Sequence, residues 1–210
     1  MSIKTFEKLP EDKKERILSA GIREFSLKTY KDASTDSITK ESQISKGILF
    51  HYFGSKKQFY LYCLEQSMER LTAETEMIAG REFHEILFAE MNRKVSLCRQ
   101  YQDEMRMVNM ASRDASTEIA PQKAELIQRY MIVVQQESGK TLRQALALLK
   151  LKDEKKRLMA EKGLQIYISA MLNQYLLQYQ QIPDQFFENS ETIKKELNEY
   201  LDLMLYGICQ

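Results

Sequence analysis

Residues 35–57, Thr-Asp-Ser-Ile-Thr-Lys-Glu-Ser-Gln-Ile-Ser-Lys-Gly-Ile-Leu-Phe-His-Tyr-Phe-Gly-Ser-Lys-Lys, leave little freedom of fold. Thr35, followed by Asp36, has the chemistry of a helix cap. Ile38 is the inward position of a helix that ends near Ser42. Ile44 sits in a turn, and Ser45 caps a second helix whose Leu49 and Phe53 face inward. Gly54 suits a helix end that needs positive φ. Ser55-Lys-Lys-Gln58 has capping-box form, so a third helix starts at once. Two helices this short cannot hold a core of their own. They must lean on neighbours, which leaves their outer faces free.

The rest of the chain supplies those neighbours as helices. Seven Gly and three Pro in 210 residues are too few for a turn-rich β protein. Pro10-Glu11-Asp12 opens a helix whose Leu18, Ile22 and Phe25 make one apolar stripe. The helix from Ser55 runs through Phe59, Tyr62, Cys63 and Met68 and is expected to reach about Ile78, bridging two domains. Further helices are expected at about 82–99, 102–113, 122–150 (weakened at Ser138-Gly139), 153–180 and 190–207, with Pro121 and Pro183 marking starts or breaks. The charge run 150–157 reads as a solvated turn and helix start.

Charge and cysteine content narrow the function. With 31 basic and 30 acidic residues, the chain cannot be a globally basic coat for nucleic acid. Any such contact must be local. From Gln43 to Lys57 there are Lys46, His51, Lys56 and Lys57 and no carboxylate. Cys63, Cys98 and Cys209 are odd in number and widely spaced, which fits a reduced, cytoplasmic chain. With two His and no ligand spacing, no metal is expected, and no other cofactor. The opening residues lack an apolar signal core, and no membrane contact is expected.

Ser45-Lys46-Gly47-Ile48-Leu49-Phe50-His51-Tyr52-Phe53-Gly54-Ser55-Lys56 resembles the recognition-helix signature of the TetR family of bacterial transcriptional regulators. The close resemblance covers residues 11–60. Beyond it, length, helix content and the ending Tyr200-Leu-Asp-Leu-Met-Leu-Tyr-Gly207 are similar. The resemblance implies an all-α chain, with a helix-turn-helix DNA-binding domain at 1–55 and a larger helical ligand-binding and dimerisation domain at 56–210. It implies a homodimer on double-stranded DNA with a palindromic operator, and repression released by a small, mostly apolar effector. The alternatives are an activator or architectural DNA binder without inducer, and a helical protein that keeps the fold without binding DNA. No catalytic pair or metal spacing is present, so an enzyme is not expected.

Carried over residue by residue, the DNA contacts would be Thr35, Lys46, Gly47, Ile48, Phe50, His51, Tyr52, Lys56 and Lys57. Gly47 lets the helix start press close to the DNA backbone. Lys46 can reach a phosphate or a guanine edge, and Ile48 a thymine methyl. Thr35, His51 and Tyr52 can donate to phosphates. Lys56 and Lys57 sit at a helix N-terminus that itself favours anions. Phe50 fits core and interface equally, and taken singly each lysine is an ordinary surface residue. Gln43 stands where the family has a turn glycine and must tolerate a left-handed or near-bridge backbone at some cost. Ile48 and Phe50 replace hydroxyl-bearing residues, which favours apolar, shape-based reading.

The resemblance further implies an inducer pocket between C-terminal helices. Met105, Met110, Tyr130, Met131, Val134, Tyr167, Met171 and Tyr175 are its candidate lining, although the default for each is core. The last two helices carry apolar stripes. In TetR-like proteins such a pair forms a four-helix interface, here Leu164, Ile168, Leu172 and Tyr179 with Leu197, Leu201, Met204 and Leu205.

Overall fold

The computed structural model describes residues 3–73, 78–150, 154–178, 185 and 188–206. Among these there is no strand, and most of them lie in helices. They are α1 (Ile3–Phe6), α2 (Glu11–Leu27), α3 (Thr35–Glu41), α4 (Lys46–Phe53), α5 (Lys56–Leu71), α6 (Phe83–Gln100), α7 (Gln102–Arg113), α8 (Ala120–Leu146), α9 (Arg157–Gln178) and α10 (Ser190–Tyr206), with a 3-10 turn at Glu154–Lys156 before α9. The all-α expectation is met. Helix α5 ends at Leu71, short of the expected Ile78, where Thr72 turns its N–H back to Met68 and Glu69. Helix α8 passes through Ser138-Gly139 unbroken. Pro183 lies outside the described residues.

The chain divides into two compact units. Unit 1 comprises Met1–Glu74 and Gln100–Val134, so it extends beyond the three N-terminal helices. Its core is aromatic. Phe6, Phe25 and Phe59 have no exposed surface, and Phe53, Tyr60 and Tyr62 are buried beside them. Ring centroids lie 4.5 Å apart for Phe53–Phe59, 4.9 Å for Phe6–Phe53 and for Phe25–Tyr60, and 5.4 Å for Tyr30–Tyr60. These tilted and edge-on pairs add to the area they bury. They run from α1 through α4 and α5 to the turn after α2, which locks the short helices onto longer ones. Arg70 of α5 donates to Glu15 of α2 and, at 2.6 Å, to Glu104 of α7. Burial works against the charge on this guanidinium, but the two carboxylates outweigh it and raise its pKa.

Unit 2 comprises Thr75–Arg99 and Gln135–Gln210. Its core joins Phe83 and Ile86 of α6, Leu142, Ala145 and Leu146 of α8, Leu164 of α9, and Leu197 and Leu201 of α10. Glu90 is buried on α6, where Arg93 grips both its oxygens at 2.8 Å. Among the described residues, no helix is long and apolar enough to cross a membrane.

Candidate nucleic-acid interface

Two helices of seven and eight residues hold their positions through caps and a tight turn. Helix α3 is capped by Ser34, not by Thr35 as expected. Ser34 is extended (φ −105°, ψ 117°) and its Oγ accepts from the Ser37 N–H. The reason lies on α2, where a Glu24 carboxylate oxygen accepts from the Ser34 N–H at 2.7 Å and pins it at the helix entrance. Thr35 becomes the first helical residue and is half-buried.

The α3–α4 joint closes as a Schellman turn. The Ile44 N–H reaches the Thr39 carbonyl at 3.1 Å and the Gln43 N–H reaches the Lys40 carbonyl at 3.3 Å. Gln43 takes the left-handed position with φ 55°, as its place in the motif requires. Ser42 below it is fully buried, its hydroxyl donating to the Ile38 carbonyl, while the Arg16 guanidinium of α2 donates to the Ser42 carbonyl at 3.0 Å. A residue with a Cβ in this conformation costs about 1 kcal/mol relative to glycine. Gln43→Gly is therefore expected to raise stability by up to about 1 kcal/mol, read by urea unfolding. A loss of stability would mean that the Gln43 side chain contributes more than its backbone strain costs.

Helix α4 starts at Ser45, whose Oγ accepts from the Ile48 N–H at 3.2 Å. It ends at Gly54, which adopts φ 75°. The helix after it is capped by Ser55, whose Oγ accepts from Gln58 N–H. Leu49 and Phe53 face the core with at most 4% exposure. The opposite face shows Lys46, Gly47, Ile48 and His51 to solvent, and Ile48 is an exposed aliphatic side chain. Phe50 is half-buried. Tyr52 is half-buried against Phe6, with ring centroids 5.8 Å apart.

A Cβ placed on Gly47 would meet only the Ser45 Oγ, at an ordinary 3.8 Å. Nothing within the described protein requires a glycine there. Glycine in a helix costs about 0.5–1 kcal/mol relative to alanine, a cost that no contact among the described residues offsets.

The lysines expected at the interface separate into two groups. Lys46 is exposed, but its ammonium lies 3.0 and 3.2 Å from the two oxygens of Asp36 on α3. The carboxylate-free window of the sequence is thus not carboxylate-free in space. Lys56 and Lys57 are half-buried. The Lys56 ammonium lies over the Tyr30 ring, 4.9 Å from its centroid, and donates to the Lys31 carbonyl. Burial lowers its pKa despite the nearby Glu118, Asp32 and Glu24. Lys57 donates to the Glu118 carbonyl at 2.6 Å. Both ammonium groups are engaged inside unit 1, so a phosphate would have to compete for them.

That engagement belongs to a clasp invisible in the sequence. The Tyr30 N–H donates to Asp114 at 2.5 Å, and the Tyr30 hydroxyl donates to Glu118 at 2.7 Å. Burial, reinforced by Glu118, pushes the Tyr30 hydroxyl pKa far above its ordinary value. Asp114 is buried and also accepts from the Ser116 N–H at 2.8 Å, while Lys123 donates to the Asp114 carbonyl. The segment after α7 thereby grips the turn after α2 and the start of α5. Its partners are 84 and 88 residues apart, and no local pattern marks them.

The eight residues expected to line a pocket fall in two groups. Met105, Met110, Tyr130, Met131 and Val134 belong to unit 1, and Tyr167, Met171 and Tyr175 to unit 2. Met131 is exposed, whereas Tyr130 packs against the unit 1 core. A cleft of about 190 Å³ in unit 1 is lined by none of them but by residues including Leu61, Glu65, Glu125, Leu126 and Arg129. Among the expected interface residues, Leu164, Leu197 and Leu201 are at most 5% exposed and lie in the core of unit 2. Ile168 and Leu205 are half-buried against that core and Met204 is exposed. Tyr179 and the Leu172 side chain lie outside the described residues. Outward on the same two helices stand Met159, Ile166, Leu203 and Tyr206, which the apolar stripes did not single out.

Comparison with known proteins agrees with this geometry. The family model described as bacterial regulatory proteins, tetR family, matches residues 17–63, which run from α2 into α5. The uncharacterized HTH-type transcriptional regulator YerO of Bacillus subtilis (strain 168) is 29% identical over 139 residues, 64% of this chain and 46% of its own length. The chain thus spans less than half the length of that curated relative. A crystal structure of a TetR family transcriptional regulator from Chloroflexus aurantiacus J-10-FL matches 95% of this chain and 94% of its own at TM-score 0.61 and 20% identity, which shows a shared fold.

Proposed function

We propose that this chain, a transcriptional regulator of the TetR family, reads a palindromic operator as a homodimer and represses until a small, mostly apolar effector binds. In this reading residues 1–55 are the DNA-binding part and 56–210 the regulatory and dimerisation part. The observation that carries the DNA-binding face is the exposed edge of α4. Lys46, Gly47, Ile48 and His51 share it, and the glycine has no internal cause.

Pairing is a physical requirement. One eight-residue helix makes too few base contacts to specify a site, and two such helices about 34–36 Å apart would enter successive turns of the major groove. The exposed Ile166, Leu203 and Met204 on α9 and α10 support a self-complementary apolar face there. Release then requires an effector that prefers a different spacing of the two reading helices.

The test is selection from random duplexes with the purified protein. The expected product is a palindrome with half-sites about one helical turn apart. Gly47→Ala supplies a second readout. Stability is expected to hold or rise by about 0.5–1 kcal/mol while operator affinity falls at least tenfold. Unchanged affinity in that variant would remove the main support for α4 as the reading helix.

A further inference from the structure

We propose that Lys46 and Asp36 act as one reading unit that recognises a G·C base pair from the major groove. The inference rests on the DNA-binding reading above. The two side chains come from different helices of the motif, ten residues apart, and meet with both carboxylate oxygens within 3.2 Å of the ammonium. They stay largely in water, with 49% of the lysine and 76% of the aspartate side chain exposed.

An exposed pair of this kind contributes little to folding. The α3–α4 joint is in any case fixed by its Schellman turn, by Arg16 on the Ser42 carbonyl and by the fully buried Ile38 and Leu49. Asp36 favours the N-terminus of α3 from its first turn, a role that needs no lysine beside the carboxylate. Near phosphates its charge is unfavourable, and it becomes favourable only where a donor meets it. In the major groove that donor is the cytosine N4 amino group, and the acceptors offered beside it are guanine O6 and N7. Lys46 and Asp36 present a donor next to an acceptor, the complement of that edge.

The same arrangement restrains indiscriminate binding. On unrelated duplex, Lys46 already carries an internal counter-ion. Its contact with a phosphate releases little salt, and the carboxylate repels the strand. A G·C edge satisfies both groups at once.

The experiment uses the full chain and its selected operator, with each base pair of the half-site replaced in turn and affinities read by fluorescence anisotropy. The wild type is expected to lose about tenfold when one particular G·C pair per half-site becomes A·T. Asp36→Asn and Lys46→Ala are each expected to lose that discrimination at the same position. Asp36→Asn should also bind unrelated duplex more tightly, with a salt slope steeper by about one unit. Asp36→Ser, which keeps a polar group near the start of α3, provides a second carboxylate-free variant should the first unfold. If the two substitutions relax different positions, or none, the proposal is overturned while DNA binding stands. If the wild type selects no duplex at all, the DNA-binding reading itself falls.

Discussion

Phe59→Ala is expected to lower stability by about 3–5 kcal/mol, among the largest effects of any single substitution in this chain. Phe59 has no exposed surface and lies 4.5 Å from Phe53 and 6.0 Å from Phe25, centroid to centroid. It therefore joins α5 to α4 and α2 at once. Its ring tip presses so closely on α2 that a Cβ on Gly21 would stand 2.5 Å from Phe59 Cζ. Truncation would leave a cavity bordered by backbone, which cannot relax inward as side chains do. Thermal unfolding should show a fall on the order of 10 °C. A coupling test makes this sharper. Gly21→Ala alone should destabilise, because the ring and the Cys63 sulfur 2.7 Å away leave no room for a methyl group. In the Phe59→Ala background the same methyl partly fills the cavity, so the two effects should not add. Additive losses would mean that the two sites do not share one packing contact.

What the sequence reveals of this molecule follows the range of each interaction. Ser45, Gly54 and Ser55 are readable as caps because a cap reports on neighbours three residues away. Ile38, Leu49 and Phe53 are readable as core because a short helix has one inward face. Ser34 is harder to see, since Thr35 beside it has the same chemistry, and the choice between them is made by Glu24 ten residues back. Asp36 falls outside the basic window along the chain, yet the turn at Gln43 folds it against Lys46. Lys56 and Lys57 look like free surface charges until the segment after α7, some sixty residues on, occupies Lys57. On α9 and α10 the spacing marks apolar faces without saying which neighbour each face meets. Packing within unit 2 takes Leu164, Leu197 and Leu201 and leaves Ile166 and Leu203 outside.

Asp114→Ala is the second large expected effect, because it opens the clasp from within. The carboxylate holds two backbone N–H groups, Tyr30 and Ser116, at 2.5 and 2.8 Å in a buried position. Removing it strands the Tyr30 N–H without an acceptor, and a loss of about 2–4 kcal/mol is expected. Asp114→Asn keeps one acceptor oxygen and should lose less. Acidity separates the charge from the geometry. Burial alone would raise the Asp114 pKa, but the hydrogen bonds from Ser116 and Tyr30, with the nearby Lys123, together bring it below its ordinary value of 3.8. A group depressed in the folded state stabilises fully above its unfolded pKa, and that share is lost as pH falls through the folded value. Wild-type stability should therefore drop more steeply below about pH 4 than that of Asp114→Asn, while the gap between them is constant near neutrality. The clasp also positions the turn before α3, so operator affinity should fall in Asp114→Ala without any change in salt slope, since no phosphate contact has been removed. Lys57→Ala should behave alike. A slope lower by about one unit in Lys57→Ala would instead place its ammonium on the DNA backbone and restrict the clasp to Tyr30, Asp114 and Glu118.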